Sequence, residues 1–397
     1  MPQSLNVRPR IRASRLARVA SITLAPVLAC LAIAGFAIAD DKPGSPAAPA
    51  GKAPAAAPAA ASAAAAPKAG SPDDGVPDIY FVPIKGQMGT DVHINVYKDV
   101  VKDIKAKKPD LVVFVMNCAD ENNNYYLPDD DPVERSKLML TEFRDIAEML
   151  HNELRDIPQA MWIDDSLGFS SLLAMAWPDI YMTSTARLGG LGRVMEPIAR
   201  WKDPDVRPKM LAAVTGICKG FFELGGWPQE LGEAMMRPEK FLSVSFEGRT
   251  LKWANDTAGG WVIDGNDKAA ARFSAQLAED IGLCKGIADS KDDLAFLMGY
   301  REWREVPGGE KIVDDYIEGW RRSLKQATEW ATEYQDAMKY ASGTDAVKYL
   351  GQAKSALQKI LGAMNQYPAV EIRWRDVRGE TKLTIQTYID RISEMIR

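Results

Sequence analysis

Histidine is nearly missing from this chain: 397 residues hold two, His93 and His151. A Ser-His-Asp triad or a multi-histidine metal site is therefore improbable on inventory alone. Cysteine is sparse too, with four in all. Beyond the N-terminal apolar run there are Cys118, Cys218 and Cys284, and an odd number cannot all pair within one chain. Two of them lie in apolar surroundings and read as small buried residues, with a single disulfide the alternative. A basic excess is also lacking, since 49 Lys and Arg face 54 Asp and Glu for a net charge of −5. Five of those basic residues and none of the acidic ones precede residue 40, so the remainder carries 44 against 54, about −10. That balance argues against nucleic acid and anionic lipid as partners. The acidic runs Asp129-Asp130-Asp131 and Asp164-Asp165 lack the spacing of a loop that wraps a cation. They read as solvated turns and helix N-terminal charge, and neither a metal nor a cofactor is expected.

Long apolar runs are absent but for one. Arg8, Arg10, Arg12, Arg15 and Arg18 precede an uncharged stretch from Val19 to Ala39, which ends in Ala37-Ile38-Ala39 before Asp40-Asp41. This is the order of a signal peptide: charged n-region, apolar h-region, A-x-A cleavage site. At about 20 residues the run can also span a bilayer, so an uncleaved signal anchor fits as well. A lipid-modified Cys30 fits less well, because the apolar run continues past it. Each reading sends the bulk of the chain across the membrane, into the periplasm or beyond, with membrane contact through the N-terminal segment if it stays uncleaved. Residues 40–75, built of Ala, Pro, Gly, Ser and a little Lys, have no aromatic and no periodic apolar face, and read as a disordered tether.

The rest alternates strand and helix patterns. Ile79 to Ile84 reads as a strand, Val92 to Lys107 has helical spacing, and Leu111 to Met116 is the near-continuous apolar strand of a parallel sheet. This is a βαβ opening. A long amphipathic helix from Pro132 to Arg155, a strand at Ala160 to Ile163, a turn at Asp164 to Gly168, a helix from Phe169 to Ala176 and a strand at Ile180 to Met182 follow. Strand, sharp turn and helix N-terminus is an arrangement that can hold a nucleophile beside free backbone N–H groups.

The stretch Leu172 to Met182, followed by Leu188-Gly189-Gly190-Leu191-Gly192, resembles the ClpP/crotonase-fold membrane serine proteases. The likeness is to the stomatin-operon (NfeD-type) branch and, more distantly, to signal peptide peptidase A. It extends over about residues 77 to 298, with Arg207-Pro208-Lys209-Met210 opening a helix, Pro228 to Met236, and Leu283 to Ala288 as further matching segments. The resemblance implies a ClpP/crotonase-like spiral α/β domain over residues 76–300 and a Ser/Lys mechanism in which Lys209 is the general base. It also places Gly168 at the nucleophile position, with Phe169, Ser170 and Ser171 after it. Asn117-Cys118-Ala119-Asp120 stands where the family has a Gly-Gly turn. Two of three catalytic elements are thus altered. Ser166 lies two residues earlier and could face Lys209 in a shifted register, Ser170 and Ser171 read as packing or bonding back to a carbonyl, and Cys118 has no identifiable histidine to activate it. Lys209 reads equally well as a solvated lysine at a helix start.

Beyond Pro307 the pattern changes. Ile317, Trp320, Leu324, Ala327, Ala331, Tyr334, Met338 and Ala341 step by 3 and 4, and Gly343 ends the stripe. Val347, Leu350, Leu357, Leu361 and Met364 form a second stripe, which predicts an antiparallel helical hairpin. Val370, Ile372 and Trp374 alternate like a short strand, and Leu383 to Ile396 is again amphipathic. Residues 301–397 thus form a C-terminal helical-hairpin appendage, a candidate for homo-oligomeric assembly. The functional expectation is an exported, noncatalytic pseudoprotease that binds an envelope protein or peptide. The alternative is an active Ser/Lys serine endopeptidase using Ser166 with Lys209. A crotonase-type acyl-thioester enzyme fits least, because an exported protein would not meet coenzyme A.

Overall fold

The computed structural model describes residues 75–119, 132–192, 203–248 and 250–397. The N-terminal apolar run, the tether up to Asp74 and the run Asp129-Asp130-Asp131 lie outside these residues. No helix among the described residues is long and apolar enough to cross a membrane.

Apolar runs of the kind that need cover on both faces build a parallel sheet. β1 (Asp78–Lys85), β2 (Leu111–Ala119) and β3 (Gln159–Leu167) lie side by side, Ile79 opposite Leu111 and Val113 opposite Ala160. One edge of β3 is shared. β4 (Ile180–Met182) pairs in parallel with Met161 to Ile163, and β5 (Arg187–Gly189) pairs in parallel with Ser166 and Leu167. The connections are α1 (Ile94–Lys107), α2 (Pro132–Glu153) and the short α3 (Phe169–Ala174). Val96, Val100, Val101 and Ile104 form the buried stripe of α1, at the helical spacing seen in the sequence.

Later segments complete the layer. α4 (Val206–Leu224) and α5 (Gln229–Met236) lead to a three-stranded antiparallel sheet, β6 (Leu242–Glu247) flanked by β7 (Thr250–Ala254) and β8 (Trp261–Asp264). β9 (Arg272–Ser274) closes the main sheet antiparallel to β5, and α6 (Ala275–Asp280) and α7 (Lys291–Leu297) follow. β10 (Arg304–Val306) returns to the other edge and pairs in parallel with β1. The main sheet thus takes a strand from beyond residue 300.

The chain then enters α8 (Gly309–Lys339), α9 (Ala346–Gln366), α10 (Pro368–Arg378) and α11 (Lys382–Ile396). Gly309 begins α8 where a Cβ would sit 2.1 Å from the Phe81 carbonyl oxygen, so the helix is pressed against the backbone of β1. The apolar stripe of α8 serves two cores. Val313 and Ile317 join the main core, whereas Trp320, Ala327 and Ala331 join a second core with Leu350, Leu357, Met364, Trp374 and Ile389.

Four expectations need correction. The turn at Asp164 to Gly168 is shorter, because β3 runs on to Leu167 and places Ser166 inside a strand. The strand at Val370 to Trp374 is the helix α10, bounded by Pro368 at its start and a left-handed Gly379 (φ +68°) at its end, with Val370 and Trp374 buried one turn apart. Val347 and Leu383 are exposed rather than part of an apolar face. Cys118, Cys218 and Cys284 are all buried and none is in a disulfide, so the disulfide alternative falls.

Candidate functional site

The expected site lies where β3 ends and α3 begins. Gly168 joins them at φ +82°, ψ −136°, a region that residues with a Cβ avoid. Its N–H donates to the Gly189 carbonyl at 2.9 Å, and its carbonyl accepts the Ser171 N–H at 3.1 Å. The strand end is thereby clamped to β5.

Ser166 is wholly buried. Its Oγ donates to Ser170 Oγ at 3.0 Å, and the Ser170 hydroxyl in turn donates to the Cys118 carbonyl. Ser171 Oγ lies 2.5 Å from the Ser166 carbonyl oxygen and 3.1 Å from that of Gly189, and it accepts the Gly189 N–H at 2.9 Å. These three hydroxyls satisfy each other and three backbone carbonyls, as buried polar groups must. They tie β2, β3, α3 and β5 together and leave Ser166 no solvent-facing path. Cys118 Sγ donates to the Ile84 carbonyl at 3.2 Å. Burial pushes the Cys218 thiol up to about 12 and that of Cys284 to about 11, away from thiolate chemistry.

Lys209 stands on α4, whose buried face carries Val214, Cys218, Phe221 and Phe222. Five residues from Val214, it falls about 140° round the helix from that face. Its side chain is exposed, with no hydrogen bond or ion pair to another described residue. A lysine base needs burial to hold a neutral amine, and Lys209 lacks it. The structure therefore does not bring Ser166 and Lys209 into a pair, and Gly168 offers no side chain between them.

The sequence reading missed two polar groupings. At the carboxyl ends of the parallel strands, where open α/β sheets commonly receive ligands, Arg187 grips Asp165 through two contacts, Nε to Oδ1 at 3.1 Å and NH2 to Oδ2 at 2.6 Å. Asn117 Nδ2 donates to Asp164 Oδ2 at 2.5 Å, and the Thr183 hydroxyl faces the same carboxylate. Asp164 and Asp165 are thus half-buried and partnered strand residues, not a solvated turn. An extra residue in β3, Asp164, shifts the register against β2 between Met116 and Asn117 and sets Asn117 opposite Asp165, a detail that periodicity alone does not reveal.

The second grouping joins α1, α2 and α8. His93 caps α1 by accepting the Asn95 N–H at Nδ1, while its Nε2 faces Glu142 Oε1 at 3.3 Å. Burial and then the Lys98 charge lower the His93 pKa to about 4. Burial raises the Glu142 carboxyl to about 7, opposed by the Ile94 N–H and assisted by Asp145. Tyr316 stacks beside the His93 ring with 6.3 Å between centroids. His151, the other histidine, bonds the Ala176 carbonyl and packs on Trp177. Both imidazoles are structural elements of the core. Among the described residues no group of three or more His, Cys, Asp and Glu side chains can hold a metal ion.

No protein-family model matches the chain, and no curated protein does. Solved structures similar to it include the 1510-N membrane-bound stomatin-specific protease in a serine-to-alanine form, 11% identical at a TM-score of 0.34, covering 59% of this chain and 99% of that one. A lysine-to-alanine form of that protease in complex with a substrate peptide is 10% identical at a TM-score of 0.37, covering 61% and 98%. An enoyl-CoA hydratase from Polaromonas sp. JS666 is 12% identical at a TM-score of 0.28, covering 76% and 94%. The chain itself has a mixed α/β fold with a parallel central sheet, and the solved structures similar to it include those of a protease and a hydratase.

Proposed function

We propose that this chain is a ClpP/crotonase-like, serine-protease-like protein that has lost peptide cleavage and works by binding, exported to the cell envelope by its N-terminal segment. The observation that carries the reading is the burial of Ser166 beneath α3 with its hydroxyl committed to Ser170. An acyl-transfer nucleophile must meet both its base and the substrate carbonyl. Ser166 meets neither, the glycine beside it has no hydroxyl, and Lys209 faces solvent. The crown of Asn117, Asp164, Asp165, Thr183 and Arg187 at the strand ends is the surface on which a peptide or envelope protein would rest in place of a cleavable substrate. Residues 309–397 supply a helical body for assembly.

The test is to incubate the purified protein with a complex peptide library and read new termini by mass spectrometry, with Ser166→Ala and Lys209→Ala alongside. The expected result is no cleavage above the two variants. Cleavage by the parent that both variants lose would return the chain to the Ser/Lys peptidases. Export is tested separately with an alkaline phosphatase fused to the C-terminus, which is active only outside the cytoplasm.

A further inference from the structure

Between α8, α9, α10 and α11 lies a cavity of about 40 Å3, walled in part by Tyr334, Trp374, Arg378, Glu380 and Tyr388. That exceeds the roughly 10–15 Å3 that one water requires. Its polar lining combines the Glu380 carboxylate and the Tyr334 and Tyr388 hydroxyls with the exposed Arg378 and Gln335 at the edge. Trp374, only 2% exposed, donates its indole N–H to Glu380 Oε2 at 2.9 Å, which fixes the carboxylate at the wall and leaves Oε1 over. Neither the Tyr334 nor the Tyr388 hydroxyl is hydrogen-bonded to another described residue. Tyr334, Tyr388 and Glu380 line the same cavity, and the Tyr334 hydroxyl has its pKa raised first by burial, then by Tyr388 and by Glu380. An acceptor-only carboxylate and two hydroxyls with free lone pairs favour a ligand rich in donors.

The rings add the same preference. Aromatic faces attract cations, and the Arg378 guanidinium already sits 4.7 Å from the Trp374 ring centroid. Arg378 is exposed, and with the exposed Gln335 it flanks the wall. The compact space suits a point-like ammonium with three rotatable donors better than a planar guanidinium fork.

We propose that this cavity receives the ammonium group of a lysine side chain presented by a protein partner, held by Glu380, Tyr334 and Tyr388 against the Trp374 ring. The four-carbon stem of lysine lets the head enter while the partner's backbone stays outside the helices. This site is separate from the strand-end crown and stands whether or not the chain cleaves peptides.

The test is 19F NMR of the full-length protein labelled with 5-fluorotryptophan, titrated with Nα-acetyl-lysine N-methylamide. The Trp374 line is assigned by Trp374→Phe or, if that variant does not fold, as the line most moved by Arg378→Ala. The expected result is a saturable shift of that line, weakened at least tenfold in Glu380→Gln and tightened severalfold in Arg378→Ala, where the competing cation is gone. Three outcomes would overturn the proposal: no saturable shift, an equal shift with the norleucine analogue, or a shift by butyrate that Arg378→Ala abolishes.

Discussion

His93 and Glu142 face each other across the start of α1, Nε2 to Oε1 at 3.3 Å, and their pKa values are displaced so as to oppose each other. His93 is lowered to about 4, so the folded protein binds that proton less tightly than the unfolded chain. Its contribution makes stability rise with pH between about 4 and 6.5. Glu142 is raised to about 7, so the folded protein binds its proton more tightly. Its contribution is fully present below about 4.5 and is lost as pH rises through 7. Between about 4.5 and 6.5 the two slopes cancel. Glu142→Gln removes one of them. Its stability, measured by urea denaturation, is expected to climb by about 2–3 kcal/mol from pH 4 to 6.5 relative to the parent. Parallel profiles for variant and parent would contradict this.

Asp91 is a second joint between the main core and α8. Its side chain is almost fully buried and accepts the Gln87 N–H at 2.8 Å, the Trp320 indole N–H at 3.0 Å and the Arg321 guanidinium at 3.0 Å. Asp91→Ala strands the Gln87 and Trp320 donors, which predicts a loss of about 3 kcal/mol. Arg321 is exposed and can return to water, so Arg321→Ala is expected to cost no more than about 1 kcal/mol. Denaturation midpoints of the two variants measure the difference, and equal losses would refute this ranking.

Gly168 cannot take a serine without strain. Its φ of +82° and ψ of −136° suit only glycine, so Gly168→Ser is expected to cost about 1–3 kcal/mol. Gly168→Ala should cost nearly as much, since the backbone rather than the hydroxyl sets the penalty. Thermal unfolding of both variants tests this, and a serine variant as stable as the parent would show that the loop can relax.

Two glycines in the C-terminal helices should respond in opposite directions. A Cβ on Gly309 would meet the Phe81 carbonyl at 2.1 Å, whereas one on Gly351, inside α9, meets nothing within 4 Å. Gly309→Ala is expected to lose at least about 2 kcal/mol, because neither backbone can yield. Gly351→Ala should gain about 0.5–1 kcal/mol from helix propensity. Equal effects in denaturant would mean that α8 is not pressed against β1.

Much of the architecture was legible in the sequence because its elements bury simple patterns. Leu111 to Met116 could hardly be other than a two-faced parallel strand, and the α1 stripe ends up buried as its spacing implies. The failures share a cause in local competition. Asp164, Asp165 and Ser166 look like turn residues, yet pairing with β2 and β5 holds them in β3, where Asn117, Arg187 and Ser170 satisfy their polar atoms. Val370, Ile372 and Trp374 alternate over too few residues to separate two periods, and the flanking Pro368 and Gly379 were the better guide. At the site, the strand-turn-helix order around Gly168 was visible. The burial of Ser166 and the exposure of Lys209 depend on how α3 and α4 pack, which no residue type announces.

The most direct test of a sealed, noncatalytic site is reaction of the purified protein with an activated fluorophosphonate, read by intact mass and peptide mapping beside Lys209→Ala. The account predicts no labelled serine in well-folded protein. A single label on Ser166 that disappears in Lys209→Ala would contradict it and identify an active serine hydrolase.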